Sequence, residues 1–135
     1  MFYKSIMNLN YNSYPNNPFI TVITVVFNGF SGIEKTMLSV LEQNCVDVEY
    51  VIVDGGSTDG SCELIAKYVN MPNKIPLIWI SEKDNGIYDA MNKGIKLATG
   101  KYILFLNVDD VLADRSVLSD IAGSIVETEC KDIVY

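Results

Sequence analysis

The sequence contains no histidine and only one arginine. The absence of histidine excludes nucleophile pairs that need an imidazole base, and it excludes zinc sites with imidazole ligands. Seventeen acidic residues outnumber ten basic ones and give a net charge of −7, so we expect no basic surface for a nucleic acid. Any chemistry must therefore depend on carboxylates, amides, hydroxyls or a bound cation.

The sequence is also poor in cysteine and in long apolar runs. Its three cysteines, Cys45, Cys62 and Cys130, are widely spaced and form no C-x-x-C pair, which is typical of reduced thiols that serve as packing residues. Residues 1–18 lack the apolar region of a signal peptide, and no later run approaches the length of a membrane span. These absences predict a cytoplasmic protein.

The chain does contain enough apolar residues for one folded domain, since 49% of its 135 residues are hydrophobic. Residues 1–18 carry five asparagines and two prolines without apolar periodicity, which predicts a flexible leader. The domain is therefore expected to cover residues 19–135, with regular structure beginning at Phe19.

Apolar runs rich in β-branched residues alternate with segments of helical periodicity. The runs predict strands over residues 19–27, 48–53, 77–80 and 102–106, and a fifth strand that starts near residue 132. Helices are predicted over residues 60–69, 87–98 and 116–127, and a first helix at a capping box of Ser31 and Glu34. This alternation predicts an α/β fold: a Rossmann-like, open, mostly parallel sheet with helices on both faces, continuing beyond residue 135.

Aspartates follow the predicted strands closely, directly or in the first turn beyond. In open parallel sheets the carboxyl ends of the strands form the ligand-binding edge, so these side chains are expected to converge there. Carboxylates so close together would repel one another, and a divalent cation with oxygen ligands would relieve the repulsion. The six residues concerned are Asp54, Asp59, Asp84, Asp89, Asp109 and Asp110.

The segment Asn107-Val108-Asp109-Asp110 comes directly after a buried strand. Its amide and two carboxylates offer oxygen ligands to a Mg²⁺ or Mn²⁺ ion that would carry a diphosphate, which an acidic protein binds poorly without such a bridge. An alternative interpretation is a helix start, since aspartates there complement the helix dipole. The residues alone leave both interpretations open.

The Gly-rich segment from Asp54 to Gly60 has two interpretations as well. It can be a polar turn capped by Ser57 or Asp59, or a nucleotide loop in which Asp54 accepts a hydrogen bond from a base N–H. It matches neither a Walker A loop nor a G-x-G-x-x-G fingerprint. Phe27, which ends the first strand, can likewise be a core residue or a stacking platform for a base.

Taken together, three segments resemble the N-terminal half of glycosyltransferase family 2, the inverting transferases of the GT-A fold. They are ITVVFN (23–28), VIVDGGSTDGS (51–61) and DNGIYDAMNKGIKLATGKYILFLNVDD (84–110), and the likeness covers residues 19–135. The long third segment is similar to members that build bacterial surface polysaccharides, such as the colanic-acid type. No single segment is decisive, but their order and spacing are specific.

The resemblance implies a role for each position that it matches. Phe27 and Asn28 would lie at the donor's base, Asp54 would contact the base ring, and Asp84 would line the donor pocket. Asn107 would take the first position of the family's D-x-D motif, which leaves the Mn²⁺ or Mg²⁺ ion to Asp109 and Asp110. The donor would be a nucleoside-diphosphate sugar, with UDP-sugar favoured.

The mechanism implied by the resemblance is direct displacement at the anomeric carbon by an acceptor hydroxyl, with inversion. The acceptor would be a saccharide or a lipid-linked saccharide in polysaccharide biosynthesis, and a lipid-linked acceptor would bring the protein to the inner face of the membrane. The family's general base normally lies beyond the metal motif, here beyond Tyr135, so the sequence names no catalytic base.

Two other classes of protein use acidic residues at such an edge. A receiver-like regulatory module would bind Mg²⁺ and accept a phosphoryl group, but it needs an acid pair after the first strand, where this chain has Asn28-Gly29. A nucleotidyltransferase would need a phosphate loop rich in glycine and arginine near that strand, and the one arginine, Arg115, lies elsewhere. Both are poorer matches than the transferase.

Overall fold

The computed structural model describes residues 6–8, 18–44, 47–127 and 133–134. Cys45, Cys130 and most of the predicted leader lie outside the described residues. Ten elements alternate along the chain: β1 Ile6–Asn8, β2 Ile20–Val26, α1 Phe30–Leu41, β3 Val48–Asp54, α2 Ser61–Val69, β4 Leu77–Ser81, α3 Ile87–Leu97, β5 Tyr102–Phe105, α4 Val117–Glu127 and β6 Ile133–Val134.

The strands form one sheet in the order β4-β3-β2-β5-β1-β6. Neighbours among β4, β3, β2 and β5 are parallel, whereas β1 pairs antiparallel with both β5 and β6. The prediction of an open, mostly parallel α/β sheet is therefore confirmed. The carboxyl ends of four parallel strands lie along one edge, which is where such sheets bind ligands.

Helices cover both faces of the sheet, as the mostly apolar runs of β2 and β3 predict for strands buried on both sides. One face carries the larger core, to which α1, α2 and α4 contribute residues such as Met37, Ile65 and Leu118. The other face carries α3 over a smaller cluster that contains Ile23 and Val53. Gly94 permits this packing, since a Cβ there would lie 2.6 Å from Cγ2 of Ile23.

The structure corrects the sequence predictions at two places. Regular structure does not begin at Phe19, because residues 6–8 already form β1 and pair with β5. The capping box is also wrong: α1 begins at Phe30 with no side-chain cap from its own sequence. Glu34 does not turn back to Ser31, and instead accepts a hydrogen bond of 2.8 Å from the Tyr68 hydroxyl on α2.

The other predicted elements agree with the structure to within one or two residues at their ends. The strand near residue 132 is present as β6, although it pairs with β1 and not with a parallel neighbour. Within the described ranges, no helix is long and apolar enough to cross a membrane.

Candidate functional site

Asp54, the last residue of β3, is the most heavily hydrogen-bonded side chain at the carboxyl edge. Its residue is 0% exposed, and its two oxygens accept hydrogen bonds from five donors. These are the backbone N–H groups of Gly56 and Ser57 at 3.0 and 2.9 Å, the hydroxyls of Ser57 and Ser81 at 2.5 and 2.8 Å, and the Cys62 thiol at 3.2 Å. The carboxylate therefore organises the loop that follows its own strand.

These donors also decide the protonation of Asp54. Burial alone would raise the pKa of the Asp54 carboxyl, but the hydrogen bonds from Ser57, Cys62 and Ser81 outweigh burial and hold that pKa below its usual value. Burial, together with the neighbouring Asp54 carboxylate, raises the pKa of the Cys62 thiol. Asp54 is thus a charged acceptor, and Cys62 remains a protonated donor beside it.

The loop after β2 is cross-linked to the loop after β3. The Asn28 backbone N–H donates to the Ser57 hydroxyl at 2.8 Å, and the Asn28 side-chain oxygen accepts from the Thr58 N–H at 2.8 Å. Asn28 has a φ of 49°, a left-handed conformation that asparagine tolerates better than most residues. Asn28 therefore joins the two loops rather than pointing to open solvent as an unpaired group.

Asp59 makes a second connection between the same loops. Its Oδ2 accepts the Phe30 N–H at 3.0 Å, and its Oδ1 accepts the N–H and the hydroxyl of Ser61 at 3.0 and 2.6 Å. One carboxylate thus caps the N-termini of α1 and α2 together. The Ser61 hydroxyl and the Phe30 N–H hold the pKa of Asp59 below its usual value.

A cavity of about 450 Å³ opens at this edge of the sheet. Phe27, whose side chain follows β2, is 65% exposed on one side of it. The other lining residues come from the end of β2, from Gly55, and from the loop after β4 with the start of α3. They are Val25, Val26, Gly55, Lys83, Asp84, Gly86, Ile87 and Ala90.

Asp84 is the carboxylate that lines this cavity. Its Oδ1 accepts the Gly86 N–H at 3.0 Å, and its Oδ2 lies 2.5 Å from the position that a Cβ on residue 55 would occupy. Any side chain at Gly55 would displace the Asp84 carboxylate from the cavity wall. Asp54 does not line the cavity, so the two aspartates have different surroundings although both follow strands at the same edge.

The loop that carries Asp84 is held in place by Lys93 on α3. The Lys93 ammonium lies 3.1 Å from Glu82 and 3.5 Å from Asp89, and it donates to the Lys83 carbonyl at 3.3 Å. Asp89 also accepts the Asn85 N–H at 3.0 Å, and this bond together with Lys93 holds the pKa of Asp89 below its usual value.

The Asn107–Asp110 loop lies beside α1. Val108 packs against Gly29, since a Cβ on Gly29 would lie 3.0 Å from a Val108 methyl group. The Asp109 carboxylate lies against Gly32, where a Cβ would overlap its Oδ1, and 3.6 Å from the Lys35 ammonium. The Asp109 side chain is 67% exposed, and its backbone is left-handed with a φ of 77°.

The structure therefore places the predicted site residues on neighbouring loops, but only some of them line the cavity. Phe27 and Asp84 share the cavity, while Asn28 and Asp54 meet at Ser57 and stay outside its lining. The predicted residues of the loop after β5 lie beside the start of α1, and they do not line the cavity either. They are Asn107, Asp109 and Asp110.

The six aspartates follow strands at one edge, as the sequence predicts, but in the described part of the chain they do not form one cluster that could share a cation. No group of three or more Asp, Glu, Cys or His side chains placed to hold a metal ion occurs among the described residues. Separate partners account for the carboxylates: Asp54 and Asp59 bind loop N–H groups and hydroxyls, Asp89 binds Lys93, and Asp109 pairs with Lys35. Repulsion between them is therefore relieved without a shared ion.

The sequence interpretation missed a polar stripe along α1 and just past its end, which contacts the backbone that follows β5. Thr36, Ser39 and Gln43 all hydrogen-bond backbone groups between residues 109 and 118. The signal was present in the sequence as small or polar residues at positions 32, 36, 39 and 43, a helical spacing next to the apolar positions 33, 37 and 40.

Comparisons with known proteins agree with this geometry. A family model described as "Glycosyl transferase family 2" matches residues 21–135. A "PGL/p-HBAD biosynthesis glycosyltransferase" of Mycobacterium bovis is 38% identical over 119 residues, which are 87% of this chain and 46% of that protein. The "Putative teichuronic acid biosynthesis glycosyltransferase TuaG" of Bacillus subtilis is 37% identical over 93 residues, which are 69% of this chain and 36% of that protein.

Among solved structures, "S. aureus TarS 1-349 in complex with UDP-GlcNAc" matches with a TM-score of 0.73 and 28% identity, covering 82% of this chain and 32% of that chain. The chain thus spans less than half the length of these curated relatives and about a third of that structure. The comparisons support the transferase resemblance over the receiver-like and nucleotidyltransferase alternatives.

Proposed function

This chain belongs to glycosyl transferase family 2, and on that premise we propose that it binds the donor of a sugar transfer in polysaccharide biosynthesis. The donor is a nucleoside-diphosphate sugar, with UDP-sugar favoured, and the acceptor is a saccharide or a lipid-linked saccharide. The observation that carries the proposal is the cavity of about 450 Å³ between Phe27 and Asp84, because a base needs both an aromatic platform and a polar contact.

The two sides of the cavity suit a nucleobase in different ways. The exposed Phe27 ring offers a stacking surface, which contributes about 1–3 kcal/mol per base in proteins that bind nucleotides this way. The Asp84 carboxylate only accepts hydrogen bonds, so it suits the ring N–H of uracil or guanine. In this proposal Asp54 holds the loop that contains the lining residue Gly55, Asn28 fixes the neighbouring loop, and Asn107 would face the diphosphate.

The loop after β5 provides oxygen atoms for a divalent cation. Mg²⁺ in phosphate-binding sites is commonly held by one or two protein carboxylates together with substrate phosphates, so Asp109 and Asp110 fit this requirement without a third acidic side chain. The exposed Asp109 carboxylate has only the surface Lys35 beside it, and an ion can replace such a weak partner. Bound there, Mg²⁺ or Mn²⁺ would neutralise the charge that develops on the departing diphosphate.

Transfer with inversion requires that the acceptor hydroxyl lose its proton and attack the anomeric carbon opposite the diphosphate. The residues of this chain bind and orient the donor for that attack, and we assign no general base within them. Location at the inner face of the membrane follows only for a lipid-linked acceptor.

Calorimetric titration with UDP and GDP, each with and without Mn²⁺, tests the proposal. Phe27→Ala should lower the UDP affinity by a factor between about 5 and about 150, which corresponds to the loss of one stacked base at about 1–3 kcal/mol. Phe30→Ala is the matched control, since Phe30 is also exposed but does not line the cavity. Equal affinities of the two variants, or no nucleotide binding by the wild type, would contradict the proposal.

A further inference from the structure

We propose that the polar stripe along α1 and its C-terminal end positions the loop of the cation site, and that the Thr36 hydroxyl is the group that sets the cation affinity. The stripe consists of Thr36 and Ser39 on α1 and of Gln43 just after α1. The inference rests on the proposed function for the identity of the ligand, but its structural part concerns only contacts within this chain. Thr36 is a positioning residue, because it acts on the backbone of Asp109 and Asp110 and not on the donor.

Thr36 makes two contacts with the loop through one atom. The hydroxyl of Thr36 accepts the N–H of Asp109 at 3.0 Å and donates to the carbonyl of Asp110 at 2.8 Å. Its second acceptor, the Gly32 carbonyl within α1, is farther away at 3.2 Å. Thr36 is fully buried, so no water molecule can easily replace the hydroxyl if it is removed.

Ser39 and Gln43 continue the same pattern along the following residues. The Ser39 hydroxyl accepts the N–H of Leu112 at 3.2 Å. The buried Gln43 amide donates to the Asp114 carbonyl at 2.6 Å and accepts the N–H of Leu118 at 3.0 Å. These three side chains therefore hold the segment from residue 109 to the start of α4 by contacts to its backbone.

The loop needs this external support because its own conformation is unfavourable. Asp109 is one of only two non-glycine residues with positive φ in the described part of the chain, and such a backbone persists only where its surroundings hold it. Gly32, one turn before Thr36, leaves the space that the Asp109 carboxylate occupies. Gly32 and Thr36 together thus fix both the backbone and the side-chain direction of Asp109.

This arrangement fixes the backbone and leaves the Asp109 carboxylate exposed, with the surface Lys35 as a weak partner. Partners that orient metal ligands from outside commonly change metal affinity by about 10- to 100-fold when they are removed. Thr36→Val removes the hydroxyl and keeps the shape of the side chain. It should therefore lower the Mn²⁺-dependent gain in UDP affinity at least about tenfold, and leave the metal-free UDP affinity unchanged.

Two further variants separate positioning from general stability. Thr36→Ser keeps the hydroxyl and should retain the wild-type Mn²⁺ gain. Thr24→Val is the matched control, because Thr24 is also fully buried and its hydroxyl bonds the Tyr50 hydroxyl at 2.7 Å, away from the loop. It should lose stability to a similar extent and keep the Mn²⁺ gain. An unchanged Mn²⁺ gain in Thr36→Val, or an equal loss in Thr24→Val, would overturn the inference.

Amide hydrogen exchange tests the contact without any ligand. The Asp109 amide should exchange slowly in the wild type and about tenfold faster in Thr36→Val, with no such change in Thr24→Val. If the wild-type chain binds no UDP, the proposed function fails, and this measurement still decides whether Thr36 positions the loop. An Asp109 amide that is unprotected in the wild type would overturn the inference independently of nucleotide binding.

Discussion

The loops after β3 and after β5 both present aspartates at the carboxyl edge of the sheet, yet they are held in opposite ways. In the first loop the side chain of Asp54 binds the backbone of its own loop and is completely buried. In the second loop the backbone is bound from outside by the hydroxyl of Thr36, and the Asp109 side chain is left two-thirds exposed.

This difference supports the proposal that Asp109, and not Asp54, takes part in binding the cation. The Asp54 carboxylate already accepts five hydrogen bonds, so it has little capacity for another donor. Removing it from these donors would destabilise the loop that they hold. A carboxylate whose loop is held by other groups can exchange a weak surface partner for an ion at little cost. The same residue type at the same edge is therefore structural in one loop and available in the other.

Replacing aspartate by asparagine in each loop tests this difference, and we expect the largest effect at Asp54. Asp54→Asn puts an amide N–H₂ group among donors that need an acceptor, so the free energy of unfolding should fall by about 3 kcal/mol. Urea denaturation measures the change. A loss below about 0.5 kcal/mol would show that the hydrogen bonds of Asp54 do not support the loop.

Asp109→Asn should have the opposite profile. Asparagine tolerates the left-handed backbone of residue 109, so the free energy of unfolding should change by less than about 0.5 kcal/mol. The Mn²⁺-dependent gain in UDP affinity should fall at least about tenfold, because one charged oxygen ligand is lost. Calorimetry with and without Mn²⁺ measures this gain. A variant with an unaltered gain would place the cation elsewhere.

Low pH should also distinguish the wild type from Asp54→Asn, although the expected effect on stability is smaller. The pKa of Asp54 is below its usual 3.8 in the folded protein, so its contribution to stability is complete above that value. It is lost as the pH falls from about 3.8 toward the folded pKa. Unfolding midpoints between about pH 5 and about pH 3 should therefore fall more steeply in the wild type than in Asp54→Asn. Parallel curves would contradict this assignment.

The sequence was sufficient for the parts of the fold that depend on local pattern. The runs that became β2, β3 and β5 are mostly apolar and rich in β-branched residues, which is the pattern that burial on both faces of a parallel sheet favours. The three-residue strand β1 could not be found in this way, since its pairing with β5 joins distant parts of the chain. The start of α1 failed for the same reason, because its cap is Asp59 from the next loop.

The sequence predicts where the candidate site lies, but not which contacts each of its residues makes. The positions of Phe27 and Asp84 after β2 and β4 indicate one edge of the sheet, where the structure has the cavity. Sequence order could not show how many hydrogen bonds Asp54 accepts within the chain, since two of its donors, Ser81 and Cys62, come from β4 and α2. The role of Thr36 depends on a contact across more than seventy residues.

The double connection between the loops after β2 and β3 has a consequence for the entropy of binding. Asn28 and Asp59 restrict both loops by contacts within the chain, through Ser57, Thr58 and Phe30. The conformational freedom of these segments is therefore lost during folding, and a donor that enters between them does not have to order them again. On this side of the cavity, binding should therefore cost little conformational entropy of the loops.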